Sequence, residues 1–284
     1  MLDILTNTYV IQLIDLAFIE DIGEGDHTSL ACIKKTEQGK SIIVAKENGI
    51  LAGIELAEFI FKKVDVSLEV KRNFHDGDSI RENDIVMEIF GSSQSMLTAE
   101  RTVLNFIQRL SGIATYTRKY SDILKGFHTQ IIDTRKTTPG MRLLEKWAVK
   151  MGGGKNHRIG LYDMILIKDN HIDFAGGIEN AIDRVHDYLK ANKLNLKIEI
   201  ETRNIDEVKK VLAKGGVDRI MLDNFSPLLI ADAVQLINNK YETEASGGIT
   251  IDTLVEYAKT GVDFISSGAL THSVKSFDFS MRVV

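Results

Sequence analysis

Eight basic residues crowd one stretch of this chain: Arg135, Lys136, Arg142, Lys146, Lys150, Lys155, Arg158 and Lys168, with only Glu145 and Asp163 as acids between the first and the last. The chain as a whole is acidic, with a formal net charge of −5. The cluster is therefore local and opposes the global balance. Like charges gathered together repel, and a bound polyanion relieves that repulsion. Arginine brings forked donors and lysine a point charge, the side chains best suited to carboxylates and phosphates. A merely solvated basic face calls for one helical stripe, whereas these residues alternate with Gly, Pro and apolar segments. Ligand binding is the expectation.

Two glycine-bearing segments add to it. Ser246-Gly247-Gly248-Ile249-Thr250 reads as ending one late strand and opening a helix, and Ser267-Gly268-Ala269 as ending the next. Glycines let the backbone approach an oxyanion, and exposed N–H groups at a helix start complete the cradle. Gly152-Gly153-Gly154 by itself signals flexibility. Neither a GxxxxGK[ST] nor a GxGxxG pattern is present, which leaves ATPase and dinucleotide folds without support. Glu201 and Asp223 remain between the phosphate loops and the cationic stretch. Carboxylates there bind sugar hydroxyls or a hard cation such as Mg²⁺, or pair with the nearby Lys and Arg.

The elements that must position these residues fall into two textures. From about Ser41 to Ile89, short β-rich runs alternate with turns such as Asn48-Gly49 and His75-Asp76-Gly77-Asp78, predicting a small, mainly antiparallel sheet. Helices over 8–20 and 53–64 belong to it. A longer helical segment, MLTAERTVLNFIQRLSGIATYTRKYSDILKG, carries Gly112 near its middle and is placed to bridge two domains. After residue 129 strands alternate with helices, the pattern of parallel βα units. The strand candidates are QIID (130–133), MILIKD (164–169), KIEIE (197–201), DRIMLD (218–223), ETEAS (242–246) and VDFISS (262–267). One unit repeats: Lys214-Gly215-Gly216-Val217-Asp218 and Lys259-Thr260-Gly261-Val262-Asp263 each lead into a strand. An α/β barrel, incomplete at six or seven units, is the expected architecture. Such barrels place their chemistry at the C-terminal strand ends. Those ends read Asp133, Arg135 and Lys136; Lys168 and Asp169; Glu199 and Glu201; Asp223; Glu244 and Ser246; Ser266 and Ser267.

Composition sets the outer bounds. With 284 residues, 44% apolar and 26% charged, the chain reads as an ordinary globular protein with a real core. No apolar run reaches the ~18 residues a membrane span needs. The opening segment is apolar at helical spacing but is interrupted by Asp3, Asp15 and Glu20, and it lacks the basic lead of a signal peptide. Cys32, the single cysteine, fits a reducing cytoplasm and excludes an intrachain disulfide. The basic stretch lacks interleaved aromatics and the pI is about 5.8, so nucleic acid is set aside.

These residues together resemble the quinolinate phosphoribosyltransferase family. The match runs almost end to end, through EDIGEGDHTS, AERTVLNFIQRLSGIAT, DTRKTTPGMRLLEKWAVKMGGGKNHRIGLYDMILIKDNHI, IMLDN, ASGGIT and SSGAL. A related molybdenum-associated group shares the TRKT start but is expected to diverge through GGGKNHR and KDNH. The resemblance implies a type II phosphoribosyltransferase-like α/β fold, with an N-terminal α/β sandwich over 1–115 and a C-terminal open α/β barrel over 116–271. The tail, 272–284, is expected to pack on the first domain. It implies transfer of phosphoribosyl from phosphoribosyl pyrophosphate to quinolinate with decarboxylation, Mg²⁺ as cofactor, and a homodimer.

By the family's pattern Arg135, His157, Arg158 and Lys168 surround the quinolinate carboxylates, with His157 an orienting donor or a proton source. Lys136 and Lys168 lie near the pyrophosphate-bearing sugar. Glu201, with Glu199 as the nearby alternative, and Asp223 are the ribose and metal carboxylates. Ser246, Gly247 and Gly248 with Ser267, Gly268 and Ala269 form the 5′-phosphate loops, and Arg101 reaches the partner subunit's site. Two rivals stay open on the residues alone: a Schiff-base lyase built on Lys168, and a non-catalytic sensor of a phosphorylated ligand.

Overall fold

The computed structural model describes residues 4–284. Asp3, which figured in the reading of the opening segment, lies outside the described residues, as does the start of the 1–115 domain. Contacts divide the chain into two compact units. The first takes in residues up to Arg118, Thr137–Gly153 and Leu270–Val284, and the second Lys119–Lys136 and Gly154–Ala269.

The first unit opens with α1 (Thr8–Ile22), started by Asn7, whose side chain accepts the Tyr9 and Val10 N–H groups. The short helix α2 (His27–Cys32) is capped by Asp26. Then come β1 (Gln38–Ala45), β2 (Gly49–Ile50), α3 (Ile54–Val64), β3 (Glu69–Arg72), β4 (Ser79–Ile80), β5 (Ile85–Ser92) and the long α4 (Ser93–Ile123). β1, β3 and β5 pair antiparallel, as the alternating runs predict. The EDIGEGDHTS motif is structural in part: Asp21 and Asp26 accept the hydroxyls of Thr102 and Thr98 on α4.

In the second unit β6 (Gln130–Ile132) begins the parallel sheet. The helix that follows in the chain, α5 (Arg142–Met151), belongs to the first unit. Then come β7 (Ile165–Ile167), α6 (Asp169–Ala175), α7 (Ile178–Ala191), β8 (Ile198–Thr202), α8 (Ile205–Lys214), β9 (Arg219–Asp223), α9 (Pro227–Ile237), β10 (Glu242–Ser246), α10 (Leu254–Ala258) and β11 (Phe264–Ser266), and α11 (Ala269–His272) begins here but lies mostly in the first unit. The strand order is β6-β11-β10-β9-β8-β7, a six-stranded open α/β barrel with β6 and β7 at its edges. The Val-Asp repeat has a physical meaning. Asp218 accepts the Ile198 N–H at 2.7 Å, and Asp263 accepts the Thr243 N–H at 2.8 Å. Each Asp therefore ties the start of its own strand to the start of the preceding one.

The last strand, β12 (Phe279–Val283), returns to the first unit and pairs antiparallel with β1, making the sheet β12-β1-β5-β3. Gly112 explains itself here. A Cβ on it would come 2.4 Å from the Lys275 carbonyl, so only glycine lets the tail cross α4 at this point.

Candidate active site

The basic stretch is divided between the two units. Arg142, Lys146 and Lys150 ride on α5 in the first unit, where Lys146 is fully buried and Lys150 is exposed. Arg135, Lys136, Lys155, Arg158 and Lys168 belong to the second unit. Of these, Lys155 is exposed and serves through its backbone, bridging Ile132 along the edge of β6.

That bridge lays the Gly154–Arg158 segment beside β6. Asp133, just past the strand and fully buried, holds it there by accepting the His157 N–H at 2.9 Å and the Asn156 amide at 2.6 Å. The strand-end acid Asp133 is therefore spent on the scaffold rather than facing a ligand. Arg158 is half-buried and donates to the Met164 carbonyl at 3.2 Å. Its guanidinium is held below the usual arginine range, first by burial and then by the positive charge of Arg135. A partly desolvated guanidinium beside a second cation is destabilised in its charged form, and a bound anion would relieve it.

Across the strand ends sit the carboxylates. Lys168, at the N-cap of α6, places Nζ 3.9 Å from Glu201 Oε2. The Glu201 carboxyl is raised, by burial and then by the negative charge of Asp223. Asp223 ends β9, and its Oδ2 accepts the Asn224 amide at 2.6 Å. Glu199 lies elsewhere: two residues earlier on β8, it is 0% exposed, beside His157 and Glu244. The strand ends read from the sequence thus separate into an outer layer, with Glu201, Asp223 and Lys168, and an inner one with Glu199 and Glu244.

The first glycine loop is built for close approach. Gly247 and Gly248 have φ of 96° and 63°, and a Cβ on Gly247 would lie 2.1 Å from Asn224 Oδ1. Asn224 also donates its backbone N–H to the Ser246 carbonyl at 2.8 Å. One residue thus braces both Asp223 and the loop, a role the IMLDN motif contained but its residue types did not announce. One expectation is corrected here. The ASGGIT segment does not open a helix directly, because Ile249 and Thr250 are irregular, residues 251–253 form a turn and α10 starts only at Leu254. Positive φ at both glycines cannot continue into a helix, so the loop itself presents the N–H groups. Ser267, after β11, is buried and donates its N–H to the Ile132 carbonyl at 3.0 Å, and Gly268 and Ala269 follow it into α11. Arg101 lies on α4 in the first unit and is exposed.

The model of the "Quinolinate phosphoribosyl transferase, C-terminal domain" family matches residues 113–282, and that of its N-terminal domain residues 26–111. The chain belongs to the quinolinate phosphoribosyltransferase family. It is 48% identical, over 95% of its length and 81% of the other chain, to a quinolinate phosphoribosyltransferase [decarboxylating] 1b of Nicotiana tabacum. It is 43% identical, over 96% and 92% respectively, to a probable nicotinate-nucleotide pyrophosphorylase [carboxylating] of Bacillus subtilis (strain 168). Among solved structures, NadC from Streptococcus pyogenes superposes with a TM-score of 0.92 at 39% identity, covering 97% of each chain. The sandwich and open barrel are therefore those of quinolinate phosphoribosyltransferases. No helix among the described residues is long and apolar enough to cross a membrane.

Proposed function

We propose that this phosphoribosyltransferase moves the phosphoribosyl group of phosphoribosyl pyrophosphate to quinolinate with loss of CO₂, giving nicotinate mononucleotide and pyrophosphate, a step of NAD biosynthesis. The observation that carries the reading is the match of the chain to both family domains, with Arg135 and the half-buried Arg158 among the barrel's strand-end residues. Quinolinate is a dianion, and two forked cations suit its carboxylates. Lys168 completes that surround, and His157 supports Arg158 by accepting its backbone N–H.

Lys136 and Lys168 stand by the departing pyrophosphate, and the loops Ser246–Gly248 and Ser267–Ala269 take the 5′-phosphate through backbone N–H groups. Glu201 and Asp223 face the ribose. Two carboxylates close enough to raise Glu201 suit a hard cation, and Mg²⁺ held there would neutralise charge on the leaving group. The ring nitrogen forms its bond to the anomeric carbon as the bond to pyrophosphate breaks. Positive charge growing on the sugar is eased by Glu201 and Asp223. The pyridinium then accepts the electron pair left when the 2-carboxylate departs as CO₂, and the ring carbon takes up a proton.

The test uses quinolinate labelled in its 2-carboxylate, with phosphoribosyl pyrophosphate and Mg²⁺. Labelled CO₂ and nicotinate mononucleotide should appear in equal amounts, and omitting any component should abolish both. A well-folded protein that releases neither would refute the reading.

We further place the enzyme as a homodimer whose Arg101 serves the neighbouring site, and in a reducing cytoplasm, which suits the free, exposed thiol of Cys32. Arg101→Ala and Lys168→Ala subunits, each inactive alone, should regain measurable activity when mixed, since a hybrid dimer holds one intact site. No recovery despite confirmed subunit exchange would remove Arg101 from the neighbour's site.

A further inference from the structure

Within the second unit, the ring of His157 is bonded at Nδ1 and faces two acids at Nε2. Nδ1 accepts the Arg158 backbone N–H at 2.7 Å, which requires an unprotonated Nδ1 and leaves the ring proton on Nε2. Nε2 lies 2.8 Å from Glu199 Oε2 and 3.5 Å from Glu244 Oε2. Both glutamates are 0% exposed, and both oxygens of Glu199 and Oε1 of Glu244 are buried without a hydrogen bond of good geometry among the described residues. Arg219 on β9 donates to Glu244 Oε2 at 3.0 Å and to Glu242 Oε2, and its guanidinium lies 4.1 Å over the Phe264 ring. The ligand atoms of His157, Glu199 and Glu244 fall within 4.8 Å of one another, close enough for a small cation, but Arg219 already supplies a positive charge to them.

Two buried acids with unpartnered oxygens are costly, and an apolar core of the same volume would be at least as stable. Stability therefore does not account for them. What they touch does: the one ring that holds the backbone of Arg158.

We propose that Glu199 and Glu244, braced by Arg219, are positioning residues for the pyridine dicarboxylate: they hold His157 in its Nε2–H form, and the ring in turn fixes the Arg158 backbone and so aims its guanidinium. In this arrangement Glu199 is the acceptor for Nε2–H and Glu244 is a donor to Glu199. Burial raises both carboxyls, Glu244 to about 8, so at neutral pH the pair holds a proton between them, as that role requires. His157 then has no ring proton to give a substrate. The substrate in this proposal rests on the function proposed above; the state of the ring does not.

The test has two readouts. In protein carrying ¹⁵N-labelled histidine and no substrate, the His157 signal, assigned by its loss in His157→Gln, should report Nε2 protonated and Nδ1 bare. Glu199→Leu, which removes the acceptor at similar volume, should abolish that pattern. In steady state it should raise KM for quinolinate about tenfold or more, with KM for phosphoribosyl pyrophosphate unchanged. Glu244→Ala should behave like Glu199→Leu, and Glu244→Gln, which keeps a donor, should restore both readouts. A wild-type tautomer and unchanged quinolinate KM in Glu199→Leu would overturn the proposal. So would equal rises in both KM values, which mark general damage to the barrel. If wild-type protein makes no nicotinate mononucleotide, the functional reading fails, while the tautomer measurements still judge the assignment of the ring and its two acids.

Discussion

Arg135→Ala is expected to lower kcat/KM for quinolinate by about 10²–10³-fold, the usual loss when one preorganised charge contact is removed. The reasoning starts from repulsion. Arg135 depresses the already half-buried Arg158, so in the empty site the two guanidiniums oppose one another. A dianion reverses the sign of that interaction. Removing Arg135 therefore takes away attraction for the substrate while relieving strain on Arg158. Activity and stability should separate: steady-state kinetics fall while the thermal midpoint holds. Arg135→Lys should recover only part of the loss, because a point charge cannot fork onto a carboxylate. Near-normal kcat/KM in Arg135→Ala would sink the proposed carboxylate seat.

Glu145→Ala should produce the opposite separation, a large loss of stability through a residue that touches no proposed substrate. Glu145 is 0% exposed on α5 and accepts from Arg109 Nη2 at 2.8 Å and Nε at 3.1 Å, and from the Thr138 N–H at 3.1 Å. Arg109 also donates to the Thr271 and Val274 carbonyls, so the pair joins α4, the segment before α5 and the C-terminal tail within the first unit. Breaking a buried pair by removing one partner costs about 3–5 kcal/mol. Arg109 keeps 22% of its side chain in solvent, which places the loss near the lower end. Urea unfolding should show it as a shifted midpoint at unchanged slope. Glu145→Gln should lose less, since it keeps an acceptor for Thr138. A shift below about 1 kcal/mol, the ceiling of an ordinary exposed pair, would show that Arg109 finds other compensation.

Much of the second unit is legible from period and punctuation alone. ETEAS was expected over 242–246 and forms a strand over those same residues, because β-branched and small residues there are bounded by turn signals. QIID and VDFISS are trimmed by a residue or more at their ends, where pairing stops before the apolar pattern does. The first glycine loop was legible as a close-approach segment, but its helix was placed too early. Residue types could not say that both glycines take positive φ and turn the chain before α10 begins.

The depth of a side chain was not legible. KIEIE shows by alternation that Glu199 and Glu201 share a face, yet all five residues of β8 are buried, as in any parallel sheet covered on both sides. Nothing local distinguishes the glutamate at the rim from the one inside. The basic stretch was legible as charge but not as place. Lys146 looks like its neighbours in sequence, and it is buried because α5 turns that face inward.

By itself, then, the sequence determined the family, the alternation of strand and helix, the two glycine loops and the cationic character of the site, all of which are carried by residue type and short-range spacing. Only the tertiary structure decided that Glu201 and not Glu199 stands beside Lys168, that Asn224 braces Asp223 and Gly247 together, and that His157, Glu199, Arg219 and Glu244 meet around one ring. Those relations join residues tens of positions apart, and they follow from the stagger of neighbouring strands and the order in which the barrel places them, which no local pattern encodes.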